Sequence, residues 1–349
     1  MRGVATISQS ALLYNLSVVK KYAPQAKVVA MVKANAYGHQ LDLVTPLLEN
    51  ADILAISEIK EAQKLRRISD KPILLLSGVH SSEELQQAIN LNCHCMVHHS
   101  SQITLINNTT QTLNIWLKID TGMHRLGLSS DEYQQCLSSF KSNPLINIKC
   151  VMSHFACADE QNHPMNQAQL KTFNTLTDNK NNRSMANSAA ILSLPESIFD
   201  VVRPGIMLYG ALPFKDNRFT LKPVMQLSAP IISIKTLQTG DCVGYGASWT
   251  ANKQTTIAII AIGYGDGYPR HATNTTPVLI NGALHLLVGR VSMDMIAVDI
   301  GSAKVAIGDK AILWGDKKLR VETVAHHSGT IGYELLTGVS ARVSFVSGK

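Results

Sequence analysis

No apolar run in the sequence is long enough to cross a bilayer. The longest, Ile257 to Ile262, falls far short of the ~20 residues a spanning helix needs. The opening segment MRGVATISQS also lacks the roughly 7–15-residue apolar core of a secretion signal, so a cytoplasmic protein without a membrane partner is expected. Charge is sparse, at 16% of residues against 45% hydrophobic, and no long stretch is rich in Pro, Gly and Ser. That excludes a disordered chain and leaves ample apolar surface for a core. Clustered basic charge is missing too. The net charge of +7 favours anionic ligands, but basic residues come at most as pairs such as Lys20-Lys21, Arg66-Arg67 and Lys317-Lys318. No nucleic-acid stripe is expected. Six cysteines, Cys93, Cys95, Cys136, Cys150, Cys157 and Cys242, are irregularly spaced, as free thiols in a reducing compartment would be.

A chain of 349 residues is too long for one small domain and suits two domains, or one large barrel with an appendage. From Val28 onward, short apolar runs alternate with segments of helical periodicity, the mark of repeated βα units and a parallel sheet. Eight runs are found: Val28 to Val32, Ile53 to Ile56, Ile73 to Leu76, His94 to His98, Leu113 to Ile119, Ile146 to Met152, Arg183 to Ala186 and Asp200 to Arg203. Eight such units predict an α/β fold, a (β/α)8 TIM-type barrel over residues 8–220. Beyond it the texture changes. Leu221 to Ile234, Thr255 to Ile262, Pro277 to Val288 and Met295 to Ile300 are β-rich and separated by Gly- and Asp-containing turns. A mostly β C-terminal domain over residues 221–349 is expected, joined by an N-terminal strand within residues 1–7.

Barrel enzymes carry their catalytic groups at the carboxyl ends of the strands. Here those ends are chemically dense. The first run is followed by Lys33-Ala-Asn-Ala-Tyr37-Gly-His39, the fifth by Asp120-Thr-Gly-Met-His-Arg125 and the sixth by His154-Phe-Ala-Cys-Ala-Asp159. Asn187-Ser188 follows the seventh, and the eighth ends in Arg203-Pro-Gly205. A lysine directly after a buried strand is costly unless paired or used, because desolvation disfavours its charge. This favours a Schiff-base lysine at Lys33, against the alternative of a solvated residue at a strand end.

Val32-Lys33-Ala-Asn-Ala-Tyr37-Gly-His39 resembles the pyridoxal-phosphate lysine segment of the alanine racemases. Further segments resemble that family in the same order over nearly the whole chain: Lys118 to Gly127, His154-Phe-Ala, Asn187-Ser188-Ala, Arg203 to Gly210, Gly244-Tyr245-Gly-Ala, Ile262 to Arg270, Gly289 to Asp294 and Ile331-Gly-Tyr333-Glu. The resemblance implies an enzyme that uses pyridoxal 5'-phosphate to interconvert L- and D-alanine by a two-base mechanism, supplying D-alanine for peptidoglycan. It implies a homodimer in which the β domain of one subunit closes the site of the other.

By that resemblance Lys33 holds the cofactor covalently and serves as one base. Tyr37, Ser188, Tyr333 and the backbone of Gly205 and Ile206 bind the phosphate. Barrel logic independently puts phosphate near the loops after strands seven and eight, where Ser188 and Gly205 fall; Ser188 also suits an N-cap. Arg203 resembles the partner of the pyridine nitrogen. A guanidinium does not readily lend a proton, so it leaves a weaker electron sink and favours racemisation over transamination. Tyr245 of the partner subunit resembles the second base. An ordinary phenol is ionised only about one part in a thousand at neutral pH, so its surroundings must help. His154 resembles the residue that contacts this phenol and links it to Arg203. Arg125 resembles the contact to cofactor and substrate carboxylate, Lys118 a lysine that can be carbamylated to orient Arg125, and Met293 a backbone donor to the substrate. Asp159, Tyr264, Arg270, Arg290 and Ile331 resemble residues lining the corridor to the site. The sequence departs from the family segments at Gln40 and Ser292, which replace a common Gly and Cys, and at His124.

Two other signals lead away from this chemistry. Cys93-His94-Cys95 with His98-His99 has metal-ligand composition, but strand alternation turns Cys93 and Cys95 away from His94 and His98. No metal is expected. Gly263 to Gly267 is not a dinucleotide loop, because no βαβ unit surrounds it. Rival readings are a serine or broad-specificity racemase, a barrel-type pyridoxal-phosphate decarboxylase, which Arg203 argues against, and a non-catalytic carrier of the cofactor, which Tyr245 and Met293 argue against.

Overall fold

The structure is a computed structural model describing residues 3–178, 180–214 and 219–349. Eight short strands follow one another with helices between them: β2 (Lys27–Met31), β3 (Ile53–Ile56), β4 (Ile73–Leu75), β5 (Cys93–Val97), β6 (Leu113–Lys118), β7 (Ile146–Met152), β8 (Asn182–Ser184) and β9 (Val201–Val202). They form one parallel sheet in the order β8-β7-β6-β5-β4-β3-β2-β9. A parallel bridge between Asn187 and Arg203, with the Arg203 amide donating to Ala186 O at 3.0 Å, joins the two ends and closes a barrel. The all-buried strands explain why the sequence shows unbroken apolar runs rather than alternation: a parallel strand is covered on both faces. The intervening helices begin where their caps place them. Ser81 Oγ accepts from Glu84 N ahead of the helix Ser82–Asn90, and Ser129 with Glu132 forms a reciprocal capping box ahead of Ser130–Lys141.

The second sheet contains β1 (Val4–Ser8), β10 (Met225–Leu237), β13 (Thr255–Ile260), β14 (Pro277–Ile280), β15 (Ala283–Val288), β16 (Ile296–Asp299), β17 (Lys310–Trp314) and β18 (Ser344–Gly348). The long β10 pairs with β1, β13 and β17, so six of the strands close on themselves while β1 and β18 extend the sheet. The strand expected within residues 1–7 therefore does belong to this sheet, its first two residues lying outside the described ones. A small ribbon of β11 (Cys242–Val243) and β12 (Trp249–Thr250) projects from it and carries Tyr245. The run from Pro277 to Val288 is two strands turning at Asn281-Gly282, both with positive φ. Two short helices, Val321–His327 and Gly332–Thr337, accompany this otherwise mostly β sheet. They span two turns or fewer, too short to show a periodic face in the sequence.

Candidate active site

Lys33 lies just past β2, at the carboxyl end of the barrel, and starts a turn of unusual hand. Ala34, Asn35, Ala36 and Tyr37 all have φ between 52° and 57°. Such a left-handed stretch costs L-residues roughly 1–2 kcal/mol each, so the surroundings must hold it. Within it Ala36 N donates to Val32 O at 2.8 Å and Gly38 N to Ala34 O at 2.9 Å. Gly38, at φ 79°, packs so closely on the Leu336 carbonyl that a Cβ would strike it. Lys33 and Tyr37 stand at the two ends of this turn. Burial and then the Arg125 guanidinium lower the Lys33 pKa, against an opposing pull from Glu61, so the neutral amine is more accessible than in free lysine.

The buried Tyr37 phenol reaches over the strand-eight loop. A Cβ on Gly205 would lie 2.5 Å from Tyr37 Oη, so only glycine leaves room there. Its ring stacks on Tyr209 at 4.9 Å and lies 6.2 Å from Tyr333, and burial raises its pKa to about 12. Tyr333 comes from the short helix Gly332–Thr337, and its pKa is raised by burial as well, so both phenols stay protonated as donors. Ser188 Oγ accepts from Gly205 N at 2.8 Å and from Met207 N at 3.4 Å. The N-cap role suggested for Ser188 falls instead to Asn187, whose side chain accepts from Ala190 N at 3.0 Å. Capping by Asn187 frees the Ser188 hydroxyl to face the next strand end. Tyr37, Ser188, Gly205 and Tyr333 thus lie close together, with Ile206 next in the chain, and their phenol and hydroxyl groups are of a kind suited to a phosphate.

Arg203 is buried under the barrel mouth. Its Nη1 donates to Ser184 Oγ at 2.6 Å, and its Nη2 donates to Ser153 O at 2.6 Å, Met185 O at 3.3 Å and His154 Nδ1 at 3.1 Å. Among the described residues no carboxylate pairs with it. Burial brings its pKa down only to about 10, so it remains charged at neutral pH. Burial first and then the Arg203 charge hold His154 well below the usual imidazole range. With Nδ1 accepting from Arg203, the neutral ring carries its proton on Nε2. Lys118, at the end of β6, is brought down to about 8 by burial, Arg125 and Arg203. Lys33, Lys118, Arg125, Arg203 and His154 therefore share one electrostatic neighbourhood, as the mutual perturbations show.

The remaining residues lie apart from it within one chain. Tyr245 is 71% exposed, and among the described residues no contact links it to Lys33, His154 or Arg203. Met293 and Ile331 are also exposed. Tyr264 and Met293 sit on adjoining loops, because Gly265 N donates to Met293 O at 2.9 Å and Tyr264 N to Ser292 O at 3.0 Å. Arg270 and Arg290 line a common open cleft of about 360 Å³ with Ser248 and Asn274. Asp159 is exposed near Tyr333, whose pKa it raises. In the Cys/His cluster for which no metal is expected, His94 Nδ1 accepts from Trp116 Nε1 at 3.2 Å and His98 Nε2 donates to Ser77 O at 2.9 Å, so both rings have partners within the barrel.

Several supporting residues have no role assigned to them by the motifs, although Tyr209 and His39 lie within two of the matched segments. Tyr209 braces Tyr37 and donates to Met31 O at 2.8 Å, and His39, fully buried, packs 4.6 Å from the Tyr209 ring. Ser153 and Ser184 bind Arg203 from the two preceding strands. Strand-end polarity at these positions is the only signal that singles them out.

The profile described as "Alanine racemase, N-terminal domain" matches residues 7–213, and "Alanine racemase, C-terminal domain" matches residues 224–347. A relative named "Alanine racemase" from Vesicomyosocius okutanii is 65% identical over 99% of this chain and 98% of its own. The chain superposes on the alanine racemase of Acinetobacter baumannii with a TM-score of 0.95 at 40% identity, covering all of both chains. It superposes on that of Bartonella henselae, solved with covalently bound pyridoxal phosphate, with a TM-score of 0.92 at 30% identity over all of both chains.

Proposed function

Because this chain belongs to the alanine racemase family, we propose residue by residue how it interconverts L- and D-alanine with pyridoxal 5'-phosphate. The residues present fit that group. The observation that carries the assignment is the Tyr37 hydroxyl packed over Gly205, where a Cβ would displace the phenol from the loop that also holds Ser188. Ser188, the backbone of Gly205 and Ile206, and Tyr333 complete the phosphate seat, Lys33 supplies the covalent anchor, and Arg203 faces the ring nitrogen. When bound, the cofactor supplies the electron sink that acidifies the substrate α-hydrogen.

The chain's own groups divide the remaining work. Lys33 Nζ, its proton affinity lowered by burial, takes or returns the α-proton on one face of the substrate. Tyr245 Oη of the partner subunit does so on the other. The neutral His154 presents Nε2–H toward that phenol, and Arg203 fixes the imidazole by donating to Nδ1. Arg203 keeps its charge and offers no readily transferable proton, which restrains the sink and favours return of the proton to the α-carbon. Arg125 holds the substrate carboxylate together with the partner's Met293 backbone, and Lys118 orients Arg125, as a carbamate when modified. Asp159, Arg270, Arg290, Ile331 and Tyr264 line the approach, where two guanidiniums in one cleft draw in a carboxylate.

A homodimer with shared sites is supported by the exposure of Tyr245, Met293 and Ile331, large apolar groups that a lone chain leaves in water. We divide the chain at residues 8–220 and 221–349, with the first strand in the second unit, a division supported by sheet membership. Six free cysteines support a reducing, cytoplasmic setting, in which the D-alanine formed serves peptidoglycan synthesis. The test is purification, absorbance of the bound cofactor, borohydride fixation and peptide mapping, with a chiral assay on alanine and serine. An adduct on Lys33 and preferential racemisation of alanine are expected; an adduct on another lysine would refute the anchor.

A further inference from the structure

The turn that joins Lys33 to Tyr37 holds contacts that the proposed chemistry leaves unused. Gln40 has φ 69° and ψ 118°, a backbone region in which a residue bearing Cβ is strained. Its side chain folds back, and Oε1 accepts from Asn35 Nδ2 at 2.9 Å. Asn35, at φ 54°, commits its polar groups to the same turn. Its amide donates to Glu61 Oε1 at 3.4 Å, its carbonyl accepts from Gln40 N at 3.0 Å, and its Oδ1 accepts from Leu41 N at 3.0 Å. Asparagine is one of the few L-residues that tolerates the left-handed region, and alanine at the positions on either side is not. Glu61 Oε2 in turn accepts from Ser57 N at 3.0 Å and Glu58 N at 3.3 Å, tying the turn to the loop after β3.

We propose that Asn35 and Gln40 form a latch, a pair of positioning residues that hold the left-handed turn and thereby fix Lys33 against Tyr37. The proposal rests on the reading that these two side chains hold the cofactor at its carbonyl carbon and its phosphate. A covalent anchor and a phosphate anchor act together only when their separation matches the ligand. The two main-chain bonds inside the turn, at Ala36 and Gly38, close it without selecting its hand. Selection comes from the side chains that bridge it, Asn35 to Gln40 at one flank and His39 Nδ1 to Tyr37 O at 2.9 Å at the other.

Gln40→Met and Gln40→Glu separate the latch from backbone strain, since both keep the same φ requirement and similar length while only Glu keeps an acceptor for Asn35 Nδ2. In the holoenzyme, hydrogen exchange at the Ala36 and Gly38 amides should quicken about fivefold in Gln40→Met, the effect of one net hydrogen bond. The dissociation constant for pyridoxal 5'-phosphate should rise by about the same factor, and Gln40→Glu should restore both. Wild-type exchange and cofactor retention in Gln40→Met, or failure of Gln40→Glu to rescue, would overturn the latch. The underlying reading is checked separately by mapping the borohydride-fixed adduct in the wild type. An adduct away from Lys33 removes that reading whatever the exchange rates show.

Discussion

Tyr245 and Lys33 are chemically unlike bases, and that difference makes their division of labour measurable. Tyr245→Phe keeps the ring and removes the one atom that accepts a proton. The resemblance implies that Lys33 serves D-alanine and Tyr245 L-alanine. Exchange of the α-hydrogen with solvent should then survive better from D-alanine than from L-alanine, by a factor within the roughly 10²–10⁴-fold range of general acid–base catalysis. Equal loss in both directions with the cofactor spectrum intact would rule out the two-base assignment. Gly205→Ala tests the other end of the site. The added Cβ meets Tyr37 Oη, so the phenol must shift, and cofactor affinity should fall at least tenfold while urea stability changes little. Equilibrium dialysis measures the first and a denaturation curve the second.

Lys118 gives a pH signature with a definite sign. Its native pKa of about 8 lies below the ordinary 10.5, so between those values the unfolded chain holds a proton that the native site has released. Unfolding therefore takes up a proton, and this group's contribution to stability rises with pH across that window. Below about pH 8 the charged, desolvated amine is a constant penalty. The stability of the wild type relative to Lys118→Met should climb from pH 8 to pH 10; a flat difference would show that the amine is not desolvated in the native state.

Elements set how much of this was legible beforehand. The barrel strands could be read because most are largely buried, Ile73–Leu75 and Cys93–Val97 wholly so, and Ile53–Ile56 and Ile146–Met152 fall where the apolar runs place them. The helix Gly332–Thr337, which delivers Tyr333, left no periodic trace because six residues make under two turns. The left-handed turn after β2 was illegible for another reason. Alanine prefers the right-handed helix, and contacts such as those of Glu61 and Gln40 with Asn35 and of His39 with Tyr37 hold the opposite hand. The catalytic residue types could be named from the strand ends, but their companions Ser153, Ser184 and Tyr209 act through geometry that no spacing encodes. Asn187 belongs to this scale as well. It caps the helix Ser188–Ser193 and so leaves Ser188 free for the phosphate seat. Asn187→Ala should cost about 1 kcal/mol, seen as a lowered urea midpoint with unchanged slope.

At the scale of the whole molecule, the proposed site is divided between the barrel of one subunit and the β domain of its partner, since Tyr245 is exposed within one chain. Lys33→Ala and Tyr245→Ala homodimers should each be inactive. After subunit exchange, half of the dimers are mixed and each of these holds one intact site, so about a quarter of wild-type activity should return. Verified exchange without recovery would place both bases within one subunit.

The pairing of β1 with β18 has a consequence for synthesis. Val4 lies opposite Ser344, and Ser8 Oγ donates to Lys349 O at 2.9 Å, so this strand waits for a partner made some 340 residues later. At about 5–20 residues per second that interval is roughly 20 to 70 seconds, with the opposite edge of β1 waiting for β10 for most of it. On the ribosome the barrel strands emerge while the strand ahead of them is unpaired on both sides. Its alternating Ala5 and Ile7, buried in the finished sheet, are then open to chaperones or to another nascent chain.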